Sequence, residues 1–198
     1  MGGMTDQVLW YTTRAAGAVS LLLLSGVVVL GLLARLRVEG RGWPRFLSAA
    51  LHRDLALIAL VFLTLHVVTA VVDPFTHLGV VSATVPFGSY YRTFWLGLGT
   101  ISLELMIAVA VTSLLRHRIG PRVWRAVHWL AYGAWPMAVV HSIGTGSDAM
   151  SVWMLAIDVV CIITVGAATV WRVFAAPRDP LAAERRIAAM RAGAGVAR

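Results

Sequence analysis

Four histidines carry the chemistry open to this sequence. His52 and His66 stand fourteen residues apart in one apolar stretch, and His128 and His141 stand thirteen apart in another. Both stretches open on a proline: His52 follows Pro44 by eight residues in GWPRFLSAALH, and His128 follows Pro121 by seven in GPRVWRAVH. Proline suits the first turn of a helix, so His52 and His128 are expected at nearly one depth, and His66 and His141 at a second. At 1.5 Å per residue the two levels lie roughly 20 Å apart. One imidazole from each stretch at each level is a geometry for two stacked b-type haems, one held by His52 with His128 and one by His66 with His141. Two axial imidazoles leave iron no open position, so such haems would carry electrons. Zinc fits less well, because its ligands gather round one point.

The helical phase is the strained step. Fourteen residues at about 100° each come within roughly 40° of four whole turns, whereas thirteen fall about 140° short. His128 and His141 would point apart on an ideal helix, and Pro136 between them is the expected site of a kink or local rewinding.

The elements that position these residues are set by hydropathy. The chain has 198 residues, 59% of them hydrophobic and 13% charged, with a mean hydropathy of +0.80. A membrane span needs about 20 mostly apolar residues, and five stretches qualify: about 8–34, 46–72, 94–115, 123–143 and 152–174. The expected fold is an all-α membrane protein, a five-span helix bundle filling residues 1–176, with an arginine-rich tail over 177–198. All seventeen basic residues are arginine, and fifteen of them flank one side of the spans; Arg14 and Arg92 are the other two. The positive-inside rule makes the arginine-rich side cytoplasmic, with the N-terminus outside and the C-terminus inside. A pI near 11.2 could suggest nucleic acid, but arginines that flank apolar segments argue against it. The first stretch is read as a helix and not a cleaved signal, since its apolar centre is long and no positive region precedes it. In the tail, Asp179 and Pro180 suggest a short helix lying on the membrane surface. Cys161 lies in an apolar run and can form no internal disulfide, and the absence of Cys-x-x-Cys-His argues against covalent haem.

At these histidines the sequence resembles the ferric reductase-like transmembrane superfamily, which includes NADPH oxidases, ferric reductases and the haem membrane subunit of a bacterial methionine sulfoxide reductase system. The resemblance rests on the fourteen and thirteen spacings and on TSLLRHRIGPRVWRAVHWLAYGAWPMAVVH, and covers about residues 8–174. It implies electron flow from a cytoplasmic donor through the inner and then the outer haem to an external acceptor: ferric iron, a periplasmic reductase or oxygen. No Gly-x-Gly-x-x-Gly follows the last span, so no flavin or nicotinamide site is expected in this chain. The donor is then expected to be a separate flavin reductase or a quinol, and the location a bacterial plasma membrane. The chain would be the electron-transfer subunit of an oxidoreductase. The alternative is a non-haem transport or assembly subunit, in which Glu104, Asp158 and the histidines form a proton path.

Haem propionates near hydrocarbon need cationic partners, and guanidinium offers a two-pronged one. Arg14 and Arg92 are candidates at the outer level, Arg53 and Arg125 at the inner; contact with lipid phosphate explains each equally well. Glu104 and Asp158 are costly in lipid and are expected to face the bundle interior. His77 and His117 fall in loops and read as solvated, with His77 a lesser candidate beside the acceptor site. Gly17, Ser25, Gly26 and Gly133 would permit close approach of helices or of a macrocycle. The tryptophans read as interfacial belts.

Overall fold

The computed structural model describes residues 2–36, 45–74 and 78–174. The expectations for His77, for Arg37 and Arg41, and for the 177–198 tail fall outside these residues. In chain order the helices are α1 (Gly2–Leu36), α2 (Arg45–Val72), α3 (Gly79–Thr84), α4 (Thr93–Leu114), α5 (Arg116–Ile119), α6 (Pro121–His128), α7 (Ala131–Gly144) and α8 (Val152–Phe174). No strand occurs among the described residues. An all-helical chain is what lipid demands of runs so apolar, since each backbone N–H and C=O must find its partner within the segment. Serine and threonine follow the same logic: the hydroxyls of Ser20, Ser25 and Thr64 donate to the carbonyls of Ala16, Leu21 and Leu60, one turn back, at 2.7 to 2.8 Å.

Among the described residues four helices contain segments long and apolar enough to cross a membrane: Gln7–Ala34, Leu47–Val72, Thr93–Leu114 and Val152–Phe174. The expected span over 123–143 is not one helix. It divides into α6 and α7 at Trp129 and Leu130, and α7 alone is 14 residues long. Pro121 opens α6, where its missing N–H costs nothing. Gly120 before it has φ of 79°, a left-handed conformation that suits glycine and breaks the chain away from α5.

Helix α1 is the spine of the bundle. It packs along α2 on one side and along α8 and α7 on the other, while α4 packs against α7 and α6, and the short α3 bridges α2 and α4. Helix α2 makes no extensive contact with α6 or α7. It is held beside them by α1 and α3, and a gap runs between. The core sits between α1, α7 and α8, where Ala18, Leu21, Val139, Met154 and Cys161 are buried together. Polar bonds fasten this frame: Trp135 Nε1 donates to Ser25 Oγ at 2.9 Å, Ser102 Oγ to the Ala134 carbonyl at 2.9 Å, and Thr100 Oγ1 to the Ser82 carbonyl at 2.8 Å. Outward faces carry exposed Leu57, Val61, Val111 and Ile163, as expected where lipid is the solvent.

Candidate functional site

The gap between α2 and the α6–α7 segment is bridged by the four histidines. The ring centres of His52 and His128 are 6.1 Å apart with planes at 62°. Those of His66 and His141 are 6.3 Å apart with planes at 78°. The two pairs are those expected from the spacing.

Part of the phase deficit of the thirteen-residue pair is made up before Pro136 and not at it. Leu130, Tyr132 and Gly133 donate their backbone N–H groups to the carbonyls of Val127, Trp129 and Leu130, three residues back. A chain wound at three residues per turn gains about 20° per residue over an α-helix, so this stretch recovers roughly 60° of the deficit. The rewinding lies before Pro136, which sits inside α7. Helix α8 braces it: Arg172 Nη1 donates to the Tyr132 hydroxyl at 3.2 Å, and the Arg172 guanidinium lies 5.7 Å from the Trp129 ring centre.

Three of the rings are anchored through Nδ1. His52 bonds the Val27 carbonyl at 3.0 Å, His66 the Thr13 carbonyl at 2.7 Å and His141 the Trp95 carbonyl at 3.0 Å. A carbonyl can only accept, so Nδ1 carries the proton and the neutral ring keeps its free lone pair on Nε2. Metal-binding histidines are commonly held in this way. The fourth ring, His128, stacks on Trp124 with centres 5.1 Å apart and planes at 31°.

Two cavities flank the His66–His141 pair, of about 340 Å³ and 110 Å³. Leu24, Leu63, Leu96 and Ala138 line both, so the space is an apolar slot running past the two rings. The larger cavity reaches polar groups on α1 and in the connections that follow α2, α3 and α7: Arg14, Asp73, Tyr91, Thr145 and Asp148. Arg14 forms an ion pair with Asp148 and lies 4.7 Å from the Trp10 ring centre. Gly146, with φ of 104°, leaves room for that guanidinium: a Cβ there would stand 2.6 Å from Arg14 Nη2.

The other arginine candidates are placed differently. Arg92, itself left-handed at φ of 42°, donates to the Gly144 carbonyl and ties the start of α4 to the end of α7. Arg53 is 72% exposed and pairs with Asp54 at 2.9 Å, and Arg125 is exposed and bonds the Pro121 carbonyl. Neither is drawn toward the His52–His128 pair. Asp158 is 1% exposed and lies near Ser142 and Cys161, facing the interior as expected. Glu104 does not: it is exposed on α4, although it follows the buried Gly97 and Thr100 by seven and four residues on the same helix face. His117 is exposed beside Arg116. The anchoring carbonyls and Asp148 escaped the sequence reading. Carbonyls leave no mark in a sequence, and nothing in the GSD of residues 146–148 announces a partner for Arg14.

Residues 16–145, more than half of the chain, match the family model of the ferric reductase like transmembrane component. The chain belongs to that family, a class of membrane electron-transfer components. The matched region begins in α1, contains all four histidines and stops before α8. No curated protein and no solved structure matches the chain significantly.

The family implies haem, and the side chains present can be tested against it. A ligating nitrogen lies about 2 Å from a first-row metal and about 1.1 Å from its own ring centre, so rings on opposite sides of one ion stand roughly 6.2 Å apart. Both pairs stand at that separation. With three rings anchored at Nδ1 and an apolar slot past the second pair, the residues fit the group.

Proposed function

We propose that this chain is a di-haem b-type membrane cytochrome that carries electrons across the plasma membrane of a bacterium. The electrons come from a separate cytoplasmic flavoprotein or quinol and leave for an external acceptor such as ferric iron, a periplasmic reductase or oxygen. In this reading α6 and α7 together make a fifth crossing, the arginine-rich ends of α2, α6 and α8 face the cytoplasm, and the His66–His141 pair is the outer one. The observation that carries the reading is the matched separation of the two histidine pairs, 6.1 and 6.3 Å.

His52 with His128 would hold the inner haem and His66 with His141 the outer one. Bound there, haem would supply a one-electron iron couple. The protein's own part is to keep the rings still. The anchored Nδ1 groups fix tautomer and orientation, so little has to rearrange when charge arrives. Leu24, Leu63, Leu96 and Ala138 keep water from the outer slot. Arg14 at the polar end of that slot is the cation best placed to meet a propionate, and Asp148 holds it there until then.

Reduced-minus-oxidised spectra of the purified protein test the proposal. Low-spin b-type bands with about two haems per chain are expected. Protein that folds in haem-replete cells and shows no such bands sinks it.

A further inference from the structure

Each of the three anchored histidines lies against a glycine, and in each case the accepting carbonyl belongs to the residue four positions before that glycine. His66 lies on Gly17 and bonds Thr13; His52 lies on Gly31 and bonds Val27; His141 lies on Gly99 and bonds Trp95. Gly17 and Gly31 are fourteen residues apart on α1, the same interval as His66 and His52 on the antiparallel α2. A residue four positions after a carbonyl donates the helical bond to it and sits directly over it. A side chain there would cover the carbonyl's outer flank, where the imidazole N–H arrives. A Cβ at Gly17 would stand 2.8 Å from His66 Nδ1, one at Gly31 would stand 3.4 Å from His52 Cε1, and one at Gly99 would overlap the His141 ring.

We infer that Gly17, Gly31 and Gly99 are positioning residues for the axial ligands: each exposes one helix carbonyl so that an imidazole can dock on it through Nδ1 and present Nε2 to the gap. This rests on the haem reading above. Both histidines of the His66–His141 pair rest on glycine, so glycine governs ligand orientation on both sides of that haem. In the other pair His52 rests on glycine, and His128 stacks on Trp124, whose Nε1 donates to Ser113 Oγ at 3.4 Å.

The test is alanine at each glycine in the full-length protein, with G166A as the control, since a Cβ at Gly166 meets nothing within 4 Å. Alanine favours helix over glycine, so a loss comes from the ring and not from the helix. Haem content is read from pyridine haemochrome spectra, and ligand orientation from the g-values of the low-spin ferric signals, which follow the ring planes. G99A and G17A are expected to weaken retention of one haem about 10- to 100-fold, as loss of a ligand's supporting bond does, or to shift its g-values, with the other haem's signal unchanged. G31A, at a contact distance alanine nearly tolerates, should shift only the second signal. The unaffected haem in each variant reports that the protein has folded. Variants with wild-type content and g-values overturn the inference, as does equal loss of both haems. Wild-type protein without haem would sink the cytochrome reading itself.

Discussion

His66 and His141 face one another with ring centres 6.3 Å apart and planes at 78°, close to perpendicular. They come from helices that do not pack extensively on each other, and each is tied by Nδ1 to a third helix or its neighbour: His66 to α1, His141 to α4. The separation is thus enforced from outside the pair. Replacing either by alanine should remove one haem and leave the other, about halving the haem-to-protein ratio. His52→Ala or His128→Ala should remove the second haem instead. Loss of both haems from every single variant, or of neither, contradicts the pairing.

Near-perpendicular axial planes make a low-spin ferric haem strongly anisotropic. The His66–His141 haem is expected to show a larger highest g-value than the His52–His128 haem, whose planes meet at 62°. Low-temperature electron paramagnetic resonance on the H52A and H66A variants separates the two signals.

The arginines differ in what they hold. Arg14 and Asp148 are only 16% and 21% exposed, and removing one partner of a largely buried pair strands the other, at a cost of about 3 kcal/mol or more. Arg14→Gln should lower the thermal midpoint in detergent and loosen the haem at the His66–His141 level. Arg53→Gln and Arg125→Gln, at exposed positions, should cost less than about 1 kcal/mol and leave both haems in place. A thermal scan followed at the Soret band reads both effects.

Glu104 is exposed on α4 while Asp158 is buried against Ser142. Glu104→Leu should leave haem content and midpoint potentials unchanged, and a carboxylate removed from a lipid-facing site should raise stability by about 2.5 kcal/mol. Redox titration of the variant checks this, and a displaced potential would give Glu104 a part in electron transfer.

Pro136 lies between His128 and His141, yet the three-residue bonds that turn the chain use the carbonyls of Val127, Trp129 and Leu130. A proline disturbs the carbonyl four residues before it, which is that of Tyr132. Pro136→Ala should therefore keep both haems. Loss of the His66–His141 haem in that variant would show that the proline sets the phase.

Much of this protein is legible in its sequence, and the reason is lipid. Apolar runs bounded by arginine specify helices wherever water is absent, so α1, α2, α4 and α8 were expected within a few residues. The histidines' pairing followed from spacing and two prolines, because depth along a helix is a linear function of residue number. What spacing cannot carry is rotation and neighbourhood. The break at Trp129 and Leu130, the outward turn of Glu104, the exposed placements of Arg53 and Arg125 and the union of Arg14 with Asp148 depend on which helices meet. The glycines beneath His52, His66 and His141 acquired meaning only once α1 and α4 stood beside those rings. A carbonyl is present at every residue, and tertiary packing alone selects those that an imidazole can reach.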